Sequence, residues 1–256
     1  MKAIPELKSN TLIERINELQ KISAHRYIDP TQVSGVSRDW RLIGREIRDL
    51  FRVDACVAWE LTGAWKGLTG DFEGTEEAFR ASAALGDNWS NRCNWTVNRL
   101  NLGMFSAAQE MYSSVGSPET GHFSEMLEDG YKAGAIAQAA HYIERARQMN
   151  IDWDKKLVHE IEAAHTMLKA SGISDERVAR QLDVAGSILR KHGIRPHVSP
   201  RVTASAGFFE GVTYSLAVPV SAEEAFEMNV ELAMCEDEAG IEKCVEFDVV
   251  FEAAFA

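Results

Sequence analysis

The chain has 256 residues, 45% hydrophobic and 26% charged, a balance that excludes collagen-like and intrinsically disordered classes. Its formal net charge of −12 disfavours sequence-blind nucleic-acid binding unless the basic residues are concentrated in one place. At roughly 100–200 residues per domain, the length allows one large domain or two smaller ones.

Four cysteines, Cys56, Cys93, Cys235 and Cys244, lack metal-ligand or redox-motif spacing and read as reduced structural residues. The opening MKAIPELKSN has no apolar signal core, and no run of about 18 apolar residues occurs. A cytoplasmic chain without a membrane span is expected.

Residues 1–195 pattern as one helical domain, its N-terminal helices filling about residues 10–60. Thr11-Leu-Ile-Glu14 fits a capping box, with Ile13, Ile16, Leu19 and Ile22 at helical spacing. Asp29-Pro30 breaks the chain. A second helix is expected from about Ser37, with Trp40, Ile43, Ile47, Leu50 and Phe51 on one side. Arg38, Arg41, Arg45, Arg48 and Arg52 lie nearly opposite. Neighbouring like charges cost only about 0.2–0.5 kcal/mol per pair, so the stripe can be a solvated face. It equally suits docking of a carboxylate-rich or phosphate-bearing partner, because guanidinium forks pair bidentately with both. The chain's own acidic end, in the same molecule or across a dimer, is the nearest such partner.

An internal repeat follows. Gly103-Met-Phe105-Ser-Ala-Ala108-Gln-Glu-Met-Tyr112 aligns with Gly134-Ala-Ile136-Ala-Gln-Ala139-Ala-His-Tyr-Ile143 at an offset of 31, continuing with Val115 against Ala146. Gly70-Asp-Phe72 opens an earlier copy that includes Glu77-Ala78 and a small-residue helix, Phe79–Leu85. Glycine permits the tight turn, alanine lets the second helix approach, and the larger residue four later fills the space beneath it.

At these residues the chain resembles the tetratricopeptide-repeat family, over about residues 54–150. Turn and second helix match best. Arg92 and Arg99 stand where the family prefers large apolar side chains. The resemblance implies a concave groove lined by first helices, in which asparagines grip the backbone of an extended peptide. Asn88, Asn91, Asn94, Asn98 and Asn101 form such a ladder, the last four within one arc of a helix, with Trp95 beside them as an apolar anchor. A polar exterior, or bonds to neighbouring turns, would place the same residues there.

A capping hairpin is expected over about residues 152–193, with a Ser171-Gly172 turn, a Ser174 N-cap and closure at Gly193. Val178–His192 is weakly similar to a helix-turn-helix pattern, but Asp183 replaces its turn glycine and the same residues fit one continuous helix. Arg190, Lys191 and Arg195 supply a basic cluster there.

Residues 202–256 hold twelve acids and one base, Lys243, a net charge of −11 that leaves −1 for residues 1–201. This shift, beside Pro196 and Pro200, marks a boundary. Beyond it, a strand near Val202–Phe208, an alternating strand Val212–Val220, a Ser221-Ala-Glu-Glu224 capping box with a helix to about Glu236, and a strand Val245–Glu252 give an acidic β-β-α-β module. It is small for independent stability and should lean on the helices or on a second copy.

Signals for catalysis are poor. His159 and His165 do not share a helix face, no Gly-rich phosphate loop occurs, and Asp152-Trp-Asp154 and Glu236-Asp-Glu238 fit helix ends better than cation sites. No cofactor or metal is expected. The expected fold is mainly α, a helical-hairpin array followed by the α+β module. The leading reading is a non-catalytic adaptor for a protein or peptide, in one form an inhibitor or immunity-type protein masking a basic target. Its docking residues would be Asn91, Asn94, Trp95, Asn98 and Asn101 together with Arg38, Arg41, Arg45, Arg48 and Arg52. A DNA-binding regulator is the alternative, and an enzyme whose site is assembled from distant residues is a third. A homodimer through the C-terminal module is a further expectation.

Overall fold

The computed structural model describes residues 5–115, 122–149, 151, 153–205 and 209–254. Its helices are α1 (Pro5–Ser23), α2 (Gly35–Leu50), α3 (Ala55–Gly67), α4 (Phe72–Gly86), α5 (Trp89–Asn101), α6 (Phe105–Ser114), α7 (Phe123–Lys132), α8 (Ile136–Gln148), α9 (Lys155–Ala170) and α10 (Asp175–Lys191). Then come β1 (Val198–Ser205), β2 (Phe209–Val218), α11 (Ala222–Glu238) and β3 (Phe247–Ala253). The protein is a mainly helical array of hairpins followed by a small α+β module.

Glycine turns at Gly70, Gly103, Gly134 and Gly172, with φ of +72°, +65°, +76° and +68°, join α3 to α4, α5 to α6, α7 to α8 and α9 to α10. A side chain is strained in that region, which is why glycine recurs there. The first three pairs pack as hairpins, whereas α9 lies mainly on α8 and α10 on α6, unlike the capping hairpin expected over 152–193. The repeat positions fill the interior: Phe105 and Ile136 beside the turns, Ala108 and Ala139 at the close approach, Tyr112 and Ile143 beneath are all fully buried. Successive first helices α3, α5, α7 and α9 are neighbours.

Local details differ from expectation. Thr11 lies inside α1 and does not open it, because the helix already begins at Pro5. Helix α2 is capped by Ser34, whose hydroxyl accepts from the Ser37 amide, while the Ser37 hydroxyl donates to the Asp29 carbonyl at 2.9 Å. Helix α9 starts at Lys155 under an Asp154 cap; Asp152 lies outside the described residues, as does Phe208. Strand β1 begins earlier than expected, at Val198, and Val245 is exposed ahead of β3. The Ser221 capping box forms with both of its bonds.

The sheet order is β1-β2-β3, with β1 antiparallel and β3 parallel to the central strand. Pro200 sits in β1, an edge strand where a missing amide is tolerated. Alternate residues of β2 and β3, including Tyr214, Leu216, Phe247 and Phe251, are buried. The module leans on its own chain: β1 meets α7 and α9, β2 meets α9, and α10 meets α11 and β3. The Tyr214 hydroxyl donates to the Tyr131 carbonyl, and Gln181 donates to Glu236 at 2.8 Å. One hydrophobic core runs without a break from Leu100 to Phe251, and a second joins Leu12 to Leu68. The charge boundary near residue 200 is therefore not a boundary of the core. A sheet this small gains its buried area by sharing one.

Helix α10 is a single helix from Asp175 to Lys191, so the helix-turn-helix pattern over Val178–His192 does not form. Its Asp183 carboxylate accepts from the Phe105 amide at 2.7 Å and the Ser106 amide at 3.2 Å, capping α6 from outside. Asp175 does the same for α8, accepting from Ala137 at 2.9 Å and Gln138 at 3.1 Å. Neither Met104 nor Ala135, at the N-cap positions of α6 and α8, supplies a side-chain cap.

Candidate binding trough

Helix α5 carries the asparagine ladder, and its environment divides the ladder in two. Asn88 is the N-cap, its side chain accepting from the Asn91 amide. Asn91 is fully buried and donates to Ser82 Oγ at 2.8 Å, so it does not face solvent. Trp95 is likewise interior. Its ring stacks on Phe79 at 5.9 Å, its Nε1 donates to Glu76 at 2.8 Å, and the Arg99 guanidinium lies 4.5 Å from its centroid. Asn91 and Trp95 are therefore corrected from docking residues to core residues. Both face the α4 side, where burial outweighs a polar or partly polar tip once a partner is found.

Asn94, Asn98 and Asn101 point the other way. They line a hollow of about 300 Å³ between α1, α3 and α5, with Asn10, Asn17 and Gln20 on the α1 side. Val57, Ala64, Ile13 and Val97 supply its apolar surface. A second hollow of about 610 Å³ continues past Lys21, His25, Arg195 and His197, and shares Asn17, Gln20, Val97 and Asn101 with the first. Together they form a trough walled by two rows of amides. The side chains of Asn10, Asn17, Gln20 and Asn101 make no hydrogen bond to any described residue. Asn98 donates to the Asn94 carbonyl at 2.8 Å, and Asn94 donates to Glu60. Burial pushes the Glu60 carboxyl up, with the Asn94 hydrogen bond opposing and nearby Asp54 adding to the rise.

The α1 half of the trough was missed by the sequence reading. Asn10, Asn17 and Gln20, spaced by seven and three, share a helix face, but starting the helix near Thr11 hid the first of them. Glu60 and His197 gave no signal at all, since only the fold brings them to α5.

The arginine stripe is at the surface. Arg38, Arg41, Arg45 and Arg48 are exposed on α2, and Arg52, expected on the same helix, is exposed in the turn just past its end; Arg38 lies 3.4 Å from Asp39, and Arg41 donates to the Pro30 carbonyl at 2.8 Å. The side chains of Arg45, Arg48 and Arg52 make no hydrogen bond or ion pair with any described residue. Docking onto the acidic module within one chain is thus not what the fold does. Of the module's acids, Glu231 pairs with Lys191 at 2.6 Å and His192 at 3.1 Å, and Glu236 with Lys243 at 3.3 Å. Helix α11 also exposes Phe226, Val230 and Met234.

The basic cluster noted near the end of α10 is spent internally. Arg190 donates to the carbonyls of Leu102 and Gly103, Lys191 to Glu231, and Arg195 to main-chain carbonyls including Gln20 and Leu68. Among the described residues, no group of three or more His, Cys, Asp or Glu side chains is placed to hold a metal ion, and no helix is long and apolar enough to cross a membrane. No family model matches the chain, and no similar curated protein or solved structure is found.

Proposed function

We propose that the protein is a non-catalytic adaptor, built on tetratricopeptide-like hairpins, that captures an extended peptide segment of a partner in the trough between α1, α3 and α5. The observation that carries this reading is the pair of opposed amide rows, Asn10, Asn17 and Gln20 facing Asn94, Asn98 and Asn101. An amide both donates and accepts, so two such rows can bond both edges of an extended backbone without regard to its side chains. Ile13 and Val97 offer apolar surface to alternate side chains. Display of a random peptide library on the whole chain tests the idea. Enriched peptides should bind wild type and lose affinity about tenfold or more with Asn94→Ala/Asn98→Ala, at an unchanged melting temperature. No enrichment, or binding indifferent to that pair, would refute it.

Copies of the chain, on the same reading, associate through α2 of one and α11 of the other. The two faces are complementary: exposed arginines beside exposed Leu42 on α2, and Phe226, Val230 and Met234 flanked by Glu223 and Glu227 on α11. Among the described residues both faces are exposed. With 16 and 17 residues the helices match in length, at about 1.5 Å per residue.

A further inference from the structure

The smaller hollow, where the amide rows face each other, holds a charge that backbone recognition does not use. Among the described residues that line its 300 Å³, Glu60 on α3 is the one acidic or basic side chain. Its carboxylate accepts from the Asn94 amide and forms no ion pair with any described residue. Two carboxylate oxygens offer about four acceptor sites, so one neutral donor leaves most of them unused. Burial is the largest influence on Glu60 and raises its pKa; the Asn94 bond opposes that rise without cancelling it, and Asp54 at the start of α3 adds to it. The carboxylate on the other side of α5 is treated differently, since Glu76 holds the Arg99 guanidinium in two bonds. A half-buried charge without a counter-ion carries a desolvation cost that an incoming cation offsets.

The wall around Glu60 suits a cation carried on an aliphatic stem. Val57 and Ala64 lie three and four residues from it on α3, so they share its face of the helix. Opposite them, Ile13 of α1 is 43% exposed and Val97 of α5 is half-buried, which leaves apolar surface uncovered beside the charge. Lysine and arginine lay their stems along such surface and keep the charged head at its polar end. The side-chain oxygens of Asn94 and Asn101 can accept the remaining protons of an ammonium or guanidinium group. A peptide α-amino group has no stem to cover Val57 and Ala64. Lys21, exposed at the neighbouring hollow, disfavours a cation at that end of the trough.

We propose that Glu60 is the specificity-determining residue of the trough and pairs with a lysine or arginine side chain of the bound peptide, whose stem packs on Val57, Ala64, Ile13 and Val97. This inference rests on the peptide reading and adds a side-chain requirement to it. The amide rows hold a main chain of any sequence, whereas Glu60 selects one residue of it. Its bond to the basic head is charge-assisted, roughly twice as strong as the amide contacts beside it.

Two random peptide libraries, one of them without Lys or Arg, displayed on the whole chain at about 0.15 M salt, test this. Strong binders should come from the first library and carry a basic residue. The most enriched peptide is then synthesised with that residue intact and with norleucine in its place, which keeps the stem and removes the charge. Norleucine should weaken binding to wild type about tenfold. Glu60→Gln should lose the same factor, and the norleucine peptide should lose nothing more in that variant, as a direct pair requires. Glutamine keeps an acceptor for Asn94, so the variant should melt with wild type. It removes one charge from a chain of net −12, so general attraction of basic peptides barely changes. Equal enrichment from both libraries, or two losses that simply add, overturns the role of Glu60 and leaves the peptide reading standing. Enrichment from neither library refutes both.

Discussion

Glu76 is 8% exposed and holds three donors: Arg99 Nε at 2.7 Å, Arg99 Nη2 at 2.8 Å and Trp95 Nε1 at 2.8 Å. Burial alone would raise its pKa, but the hydrogen bonds from Arg99 and Trp95 outweigh it and hold the carboxyl below its ordinary 4.5. A folded-state value below the unfolded one stabilises the protein above the unfolded pKa, and the benefit fades as pH falls through the folded value. Glu76→Gln strands a buried guanidinium and should cost about 3 kcal/mol near neutral pH. Urea unfolding at a series of pH values should show the gap to wild type closing in acid, below pH 4.5. A gap that stays constant would mean the pair contributes by shape and not by charge. This pair also accounts for Arg99, which breaks the apolar pattern of a first helix. Its partner is 23 residues away on α4, beyond the reach of any local pattern.

Helix α10 works as a clamp on the hairpin turns. Asp183, Gly186 and Arg190 fall three and four residues apart, so they share one stripe. Asp183 caps the amides of α6, and Arg190 takes the carbonyls that end α5. Between them Gly186 packs on Gly103, where a Cβ would stand 2.2 Å from the Gly103 carbonyl oxygen. Loss of an N-cap costs about 1 kcal/mol, so Asp183→Ala should lower stability by that amount. Amide exchange should quicken at Phe105 and Ser106 while Ala137 and Gln138, held by Asp175, stay protected. Uniform loss of protection would mean that α10 bears on the array as a whole and not turn by turn. The sequence showed Asp183 as a misfit in a helix-turn-helix motif. Its reason appears only where α10 crosses the turn after α5, 78 residues earlier in the chain.

Taken as a whole, the molecule puts its positive and negative surfaces on different elements, α2 and α11, with the repeats between. If copies pair through them, sedimentation should show an assembly that shrinks with salt and becomes monomeric when Arg41, Arg45 and Arg48 are changed to Glu. Adding Glu223→Lys/Glu227→Lys should restore it. An unchanged mass on charge reversal would rule the contact out. The trough is also a whole-molecule product: α1 closes over α3 at one end, while the sheet lies on α7 and α9.

Sequence alone determined the hairpins and the module. Turn glycines, the buried ladder of Phe105, Ala108, Tyr112 and their counterparts, and the change from helical to alternating spacing after Pro200 are local patterns fixed by backbone sterics and by the period of burial. The fate of each polar residue on a helix was not local. Asn91 and Asn94 differ by three positions, yet one is sealed against α4 and the other opens to the trough, because burial depends on which neighbour the fold sets against each face. Tertiary structure decided that, just as it spent Arg190 and Arg195 on carbonyls and left the α2 arginines in water.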